Sequence, residues 1–270
     1  MKLLILTQYF PPEMGAPQSR LFELAQELIK LGWDVSVITA KPNYPTGRIF
    51  EEYKRNAKRK REFVDGIFVQ RVPLFPSKSS KILPRLVSYI SFTISSLYAA
   101  LIFQEKPDVV WVESPPLFIG ITAMIYGRLK RLPYVFNVSD LWPDSFVNMG
   151  LLRENSVAFK LLKMLELVIY KRAWGVTGQS DGIIDAIKLA QNGIRTCLVT
   201  NGVNLNRFGV VYRSEELRKS LAWKGKTVFV YAGLHGLAQG LDQIIEAASR
   251  LRNIQDLYFV FFGDGPLKGS

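Results

Sequence analysis

The stretch YFPPEMGAPQSR, residues 9–20, carries the residue types of an anion site. Gly15 stands between Met14 and Ala16, and a cation, Arg20, lies one turn into the helical pattern Leu21, Leu24, Ala25, Leu28, Ile29. The stretch follows directly on the apolar run LLIL at 3–6. A loop between a strand and a helix puts the unpaired N–H groups and positive dipole end of the helix over the carboxyl edge of the sheet, where an anion is favoured. This is not a dinucleotide fingerprint, because G-x-G-x-x-G needs three glycines and only Gly15 is present. Arg20 reads equally well as a cation beside a ligand or as a solvated surface arginine.

Other chemistry is sparse. The single cysteine, Cys197, lies in the apolar stretch TCLVT, so no disulfide framework is expected and a reducing compartment is implied. The single histidine, His235, falls in a later domain and cannot activate it, and no metal-ligand cluster is visible. The net charge of +12 calls for an anionic partner: a nucleotide, a phosphorylated lipid, an anionic membrane or nucleic acid. Met1-Lys2 runs straight into a strand too short for a secretory h-region, which argues against secretion. The run KRNAKRKR, 54–61, has six basic residues in eight and reads either as a solvated loop or as attracted to anionic lipid at about 1 kcal/mol per basic residue. The segment LVSYISFTISSLYAALIF, 86–103, has no charge, and Ser88, Ser91 and Ser95 recur on one face. It reads as a helix buried against a sheet or as a monotopic helix dipping into a bilayer beside the basic run; a full span is disfavoured, because strand pattern resumes at Asp108.

The elements that must hold these residues alternate. LLILTQ, a helix 19–31 closed by Gly32, VSVIT, a helix 83–105, VVWVE, a helix 117–130, YVFNVS, a helix 156–173, GVTGQ, a helix 181–191 and CLVT describe a parallel sheet buried on both faces. Asp65-Gly66 between two alternating runs marks a hairpin inserted into that scheme. A second unit starts afresh with TVFVYAG, a helix 240–252 and LYFVFFGDGP, after a connection that contains the polar helix SEELRKSLAW. With two strands against the five or six of a doubly wound domain, this second core is expected to be incomplete.

The segment TNGVNLNRF, 200–208, resembles the Asn-Gly-Val-Asp-x-x-x-Phe motif of glycosyltransferase family 4, with Asn204 where the family has Asp. The resemblance extends through PPEMGAPQSR, GWDVSVITAKPNYPTG, SDLWPDS, YAGLHGLAQGLDQIIEAA and FFGDGPL, in the family's order and over nearly the whole chain. It implies a retaining enzyme of α/β, GT-B fold: an N-terminal Rossmann-like acceptor-side domain at 1–202, a linker at 203–225, and the start of a nucleotide-sugar domain at 226–270. The subgroup it is most similar to transfers amino- or deoxysugars, N-acetylfucosaminyl-type, in O-antigen and capsule assembly. The loop holding Gly15, Ala16 and Arg20 would then face the donor phosphate or the acceptor. Asp140, and less so Glu113 at the end of VVWVE, would orient a sugar hydroxyl or the acceptor, with a turn cap as the other reading of Asp140. Gly233, His235, Gly236, Gln239 and Gly240, with Gly263 and Asp264, would meet the donor diphosphate, the glycines reading otherwise as ordinary strand-to-helix turns.

Departures from the family pattern are informative. Where the family carries an Arg and a Lys in the diphosphate loop this chain has Leu234 and Gln239, and where it carries His-Asp this chain has Ser139-Asp140. The family's paired glutamates lie beyond Ser270, so this chain alone is expected to be inactive and to bind a nucleotide-sugar weakly. The partners implied are a nucleotide-sugar donor, a UDP-sugar by preference, a lipid-linked saccharide acceptor and an anionic membrane surface, with no nucleic acid. No cofactor is implied, and no metal, since no Asp-x-Asp has a strand context. The location implied is cytoplasmic, on the inner face of the plasma membrane. Two rivals remain: a UDP-sugar 2-epimerase of the same fold, disfavoured because the first domain has no histidine, and a non-catalytic lipid- or partner-binding module.

Overall fold

The computed structural model describes residues 1–54, 60–77, 82–103, 105–205, 208–209, 213–236, 239–265 and 267–268. Strand β1 (Lys2–Leu6) leads into helix α1 (Ala16–Lys30) and strand β2 (Asp34–Ala40), and a single turn, α2 (Glu51–Lys54), precedes β3 (Arg61–Val64) and β4 (Ile67–Val72). There follow α3 (Ile82–Leu101), β5 (Val109–Ser114), α4 (Ile119–Lys130), β6 (Tyr134–Val138), the short α5 (Asp144–Asn148), α6 (Val157–Arg172), β7 (Gly175–Gly178), α7 (Asp181–Ala190) and β8 (Thr196–Leu198). These belong to a first compact unit, Met1–Asn204. A second, Leu205–Ser270, holds α8 (Glu215–Ser220), β9 (Thr227–Ala232), α9 (Leu241–Arg250) and β10 (Leu257–Phe262).

The strands of the first unit form one sheet in the order β3-β4-β2-β1-β5-β6-β7-β8, parallel except for the β3–β4 pair. The chain winds outward from β1 through β2 and β4 on one side and from β5 to β8 on the other. Strand order therefore reverses between β1 and β5, and their carboxyl ends frame the crevice where open α/β sheets take ligands. Side chains alternate across a strand. Leu3 and Ile5 enter a core with Val35, Val37, Ile67 and Val69 beneath Leu21 and Ala25 of α1. Leu4 and Leu6 face the other way, into a core with Val110, Val112 and Phe136 that is covered by Phe92 of α3, Ile119 and Ala123 of α4, Ile169 of α6 and Ile187 of α7. Burial on both faces is why the strands read as unbroken apolar runs.

Three expectations are corrected. Helix α1 begins at Ala16, three residues before the apolar periodicity, because Pro17 in the first turn lacks only an N–H that would have no intrahelical partner. The hairpin at Asp65-Gly66 forms, with φ of 46° and 85°, but β4 is no insertion: it pairs in parallel with β2, and β3 alone is the antiparallel edge. Helix α3 ends at Leu101, short of 105, and it packs against the sheet by one face only. Phe92, Ala99 and Ala100 meet the sheet, and Ser96 shares a hydrogen bond of 3.1 Å with Thr122 of α4, whose hydroxyl also donates to the Thr93 carbonyl at 3.0 Å. Ser91 accepts from the Phe75 N–H at 2.8 Å and Ser95 donates to the Pro73 carbonyl at 2.6 Å. The large side chains Ile90, Ile94 and Tyr98 are exposed.

In the second unit β9 and β10 pair in parallel across the α9 crossover, with Phe229 and Phe259 stacked at 5.2 Å. Phe229, Val230, Tyr258 and Phe262 stay exposed.

Close packing of α4 on α6 depends on Gly120, where an added Cβ would lie 2.6 Å and 2.8 Å from the two methyl carbons of the fully buried Ile169. We predict that Gly120→Ala lowers stability by about 1–3 kcal/mol through overpacking. A urea midpoint equal to that of the parent would show that α6 moves aside freely.

Candidate functional site

Strand alternation carries polar residues to the α1 side at the carboxyl edge. In β5 Val109 and Trp111 pack toward the core under α1, and the next residue on that side is Glu113. The register sets Glu113 beside Asn137 of β6, and Asn137 beside Thr177 of β7. The three are joined: the Asn137 amide donates to Glu113 Oε2 at 2.9 Å, and the Thr177 hydroxyl donates to Asn137 Oδ1 at 2.7 Å. One step above them, Ser139 donates to Glu113 Oε1 and accepts from the Gln179 amide at 2.6 Å.

Arg20 of α1 closes the group. Its Nη2 is paired with Glu113 Oε1 and donates to Ser139 Oγ at 3.0 Å, while its Nη1 donates to Asn201 Oδ1 at 2.9 Å. With its side chain 17% exposed, Arg20 is neither a free cation nor a solvated surface residue. Glu113 is 3% exposed. Burial pushes its carboxyl up from the ordinary glutamate value, against the opposing pull of Arg20 first and then of the Ser139, Asn137 and Trp111 donors. Asp140 follows Ser139 on the same edge but stands outside these hydrogen bonds. Partial burial raises its carboxyl too, opposed by the Ser145 hydroxyl and the Leu141 N–H at the entry to α5.

The loop between β1 and α1 is built around Glu13. This carboxylate, also 3% exposed, accepts the backbone N–H groups of Asn43 at 2.7 Å, Tyr44 at 2.8 Å and Phe10 at 3.3 Å, tying the loop to the segment after β2. Burial raises its carboxyl, and these N–H groups pull the other way. Arg71 of β4 donates to the Pro11 carbonyl at 2.5 Å and pairs with Glu62. Gly15 caps α1 in an extended conformation, with no side-chain cap and no acid in the first turn, so the end of this long helix retains its positive character. A Cβ at Gly15 would meet the amide of Gln18 at 2.5 Å, the movable end of a flexible side chain.

In the second unit the chain at 233–235 runs against 263–265. The Gly233 N–H donates to the Phe262 carbonyl at 2.9 Å and the His235 N–H to the Asp264 carbonyl at 3.0 Å. Gly263 is required by this approach, since a Cβ there would lie 1.8 Å from the Gly233 carbonyl oxygen. Gly240 caps α9 with φ 59°, and Gly236 lies beside the Gln239 amide. His235 is buried beside Tyr231 and Phe261, and its Nε2 has no hydrogen-bond partner. Asp264 turns its carboxylate onto the Gly265 N–H at 2.9 Å. Of the basic run 54–61, residues 55–59 lie outside the described residues, and Lys54 is paired with Glu51.

Arg20 and Glu113, placed apart on sequence grounds, thus meet directly, and Ser139 meets both. Asn137, Thr177, Gln179, Asn201, Glu13 and Arg71 escaped the sequence reading. A signal existed for some: polar residues at every second position toward the ends of YVFNVS and GVTGQ.

Comparison with known proteins agrees with this architecture. Residues 15–202 match the family model described as a glycosyl transferase 4-like domain. An Escherichia coli (strain K12) protein named as a colanic acid biosynthesis glycosyl transferase, WcaI, is 28% identical over 98% of this chain and 66% of its own. Sucrose-phosphate synthase from Thermosynechococcus elongatus superposes with a TM-score of 0.69 at 14% identity, over 96% of this chain and 61% of that one. Anabaena Alr3699/HepE, solved with UDP-glucose, does so with a TM-score of 0.55 at 16% identity, over 97% and 69%. The chain spans about two thirds or less of the length of the curated relatives it matches. These likenesses establish the fold as α/β, Rossmann-like and of GT-B type.

Removing Arg20 should expose what the pair contributes. Arg20→Met leaves a buried carboxylate without its cation, a loss of about 3–5 kcal/mol. The folded-state pKa of Glu113 then rises further above its unfolded value, so the folded protein holds a proton that the unfolded chain releases, and stability falls as pH rises. We expect the deficit in urea midpoint to be larger at pH 8 than at pH 5, and Arg20→Met combined with Glu113→Gln to recover much of it. An equal deficit at both pH values would mean that Arg20 does not set the protonation of Glu113.

Proposed function

The chain belongs to the family of glycosyl transferase 4-like domains, and from that membership we propose that it acts in a retaining glycosyltransferase of surface-polysaccharide biosynthesis. The unit Met1–Asn204 is the acceptor side and the unit Leu205–Ser270 the donor side. The donor is a nucleotide-diphosphate sugar, UDP-linked by analogy with Alr3699/HepE, and the sugar is of amino- or deoxysugar type, as in O-antigen and capsule assembly. The acceptor is a lipid-linked saccharide, which sets the reaction at the inner face of an anionic membrane.

One observation carries the reading: the polar row Glu113–Asn137–Thr177 with Ser139, Gln179 and Arg20, at the point where strand order reverses and beside the uncapped end of α1. Ser139, Gln179 and Asn201 offer hydroxyl and amide groups for sugar hydroxyls. Glu113, held by Arg20, fixes these groups rather than attacking the anomeric carbon. The N–H groups at the start of α1 offer a site for the donor phosphate or the acceptor, and electrostatic stabilisation by such groups is a large part of catalysis. Asp140, on the rim, orients the acceptor. In the second unit Gly233, Gly236 and Gly240 bring backbone N–H groups to the diphosphate with His235 beside them. Leu234 and Gln239 supply no cation there, so affinity for UDP is about millimolar, or roughly −4 kcal/mol.

Labelled UDP-sugars and a lipid extract test the reading, with this chain alone and with the chain joined to a complete donor domain. We expect the joined protein to place label in the lipid fraction with the anomeric configuration of the donor kept, and the chain alone to give no transfer. An inverted linkage would overturn retention, and absence of transfer by the joined protein would overturn the whole reading. For the loop, Gly15→Val should leave the fold intact and weaken UDP saturation-transfer NMR signals, because the new side chain holds the ligand off the backbone. Signals equal to the parent's would remove Gly15 from the site.

A further inference from the structure

Helix α3 turns the wrong side outward for a soluble protein. Its Ser and Thr residues face α4 and the Pro73–Phe75 segment, and Val87, Ile90, Ile94 and Tyr98 form an exposed stripe at helical spacing, with Ile94 at 65% and Tyr98 at 67% exposure. Helix α6, in the same layer, repeats the arrangement with Val157, Leu161, Met164 and Val168. Between them lies α4, packed against both. Exposed apolar stripes of this kind on two helices of one layer mark an interaction site.

The charges name the partner. Across α3, α4 and α6 there is a single carboxylate, Glu166, and it is buried and held by Lys163 at 2.8 Å and Tyr170 at 2.9 Å. The exposed charges, Arg128, Lys130, Lys160, Lys171 and Arg172, are all basic. Apolar stripes on helices whose own exposed charges are all basic, with Glu154 exposed before α6 and Asp144 paired to Lys163, fit an anionic bilayer, with the apolar side chains at the acyl boundary and the cations at the headgroups. No helix among the described residues is long and apolar enough to cross a membrane. We infer that the outer face of the α3–α4–α6 layer is a docking surface on which the protein lies against anionic lipid. Crossover helices run antiparallel to the strands, so the α3 and α6 N-termini sit at the sheet edge that bears Glu113 and Ser139. A lipid-linked acceptor held in the bilayer would reach the site from that edge. This last step rests on the reading of the acceptor given above; the docking itself does not.

Flotation with vesicles of phosphatidylglycerol and phosphatidylcholine, containing neither donor nor acceptor, separates the two. The protein should bind these vesicles and not pure phosphatidylcholine, and salt should weaken binding. Ile94→Gln with Leu161→Gln, both at exposed positions, should lower affinity about tenfold or more. Ile94→Trp should retain binding and show a blue shift of its emission on the vesicles. Undiminished binding by the double Gln variant, a Trp at 94 that stays in water, or a dimer in lipid-free solution that the Gln variant dissociates would overturn the proposal. The last outcome would assign the face to a second copy of the chain. No binding of the parent protein to the phosphatidylglycerol vesicles would sink the docking surface alone, and binding to them leaves it standing whatever the outcome for sugar transfer.

Discussion

A carboxylate 3% exposed to water is the demand that much of the first unit answers. Left alone, Glu113 would cost several kcal/mol to bury in its charged form, and even when paired it is held only if its remaining lone pairs are satisfied. Arg20, Asn137, Ser139 and Trp111 meet that need from α1, from β6 and its edge, and from within β5. Thr177, Gln179 and Asn201 in turn hold Asn137, Ser139 and Arg20, which draws in β7 and the segment after β8. A slip of one residue in β6 would set Phe136 or Val138 against Glu113. The register that fills the apolar cores on both faces is therefore also the one that satisfies the buried charge.

The second buried carboxylate does for the loop what Glu113 does for the strands. Glu13 accepts three backbone N–H groups and Arg71 takes a carbonyl of the same loop, so the approach to α1 is fixed before any ligand arrives. Such fixation is what a site that works by directed N–H groups requires, since donors that must reorganise during reaction lose most of their advantage.

The strands of the sheet could be read from β-branched runs, and the two-unit layout from the fresh start at TVFVYAG. The start of α1 could not: Pro17 and Ala16 carry no apolar periodicity, so α1 looked shorter than it is. Arg20 and Glu113 were each visible as candidates, yet their pairing spans 93 residues and needed the β1–β5 adjacency. Asn137 and Thr177 were hidden for a related reason: a polar residue in a strand gains meaning only from its neighbours in register. In the second unit Gly263, which the resemblance gives to a ligand together with Gly233 and Gly236, has a further reason that the sequence does not display: the backbone at Gly233 leaves no room for a Cβ. In α3 the absence of charge suggested burial, but the serines, not the isoleucines, face the protein.

That inversion follows from how α3 and α4 are held together. Ser96, Thr93 and Thr122 join the two helices by side-chain hydrogen bonds, and Ala99, Ala100 and Ala123 bring them near the sheet with little bulk. Small residues at a contact leave no room there for Ile94 or Tyr98, and with about two thirds of each exposed they contribute little to the apolar area removed from water on folding. Folding stability thus does not account for isoleucine and tyrosine at those positions, and exposed apolar stripes on two helices of one layer carry an aggregation risk that a protein gains by removing. What remains is a use for the stripe outside the fold, and the mainly basic charge on the three helices favours a surface that is apolar beneath and anionic above.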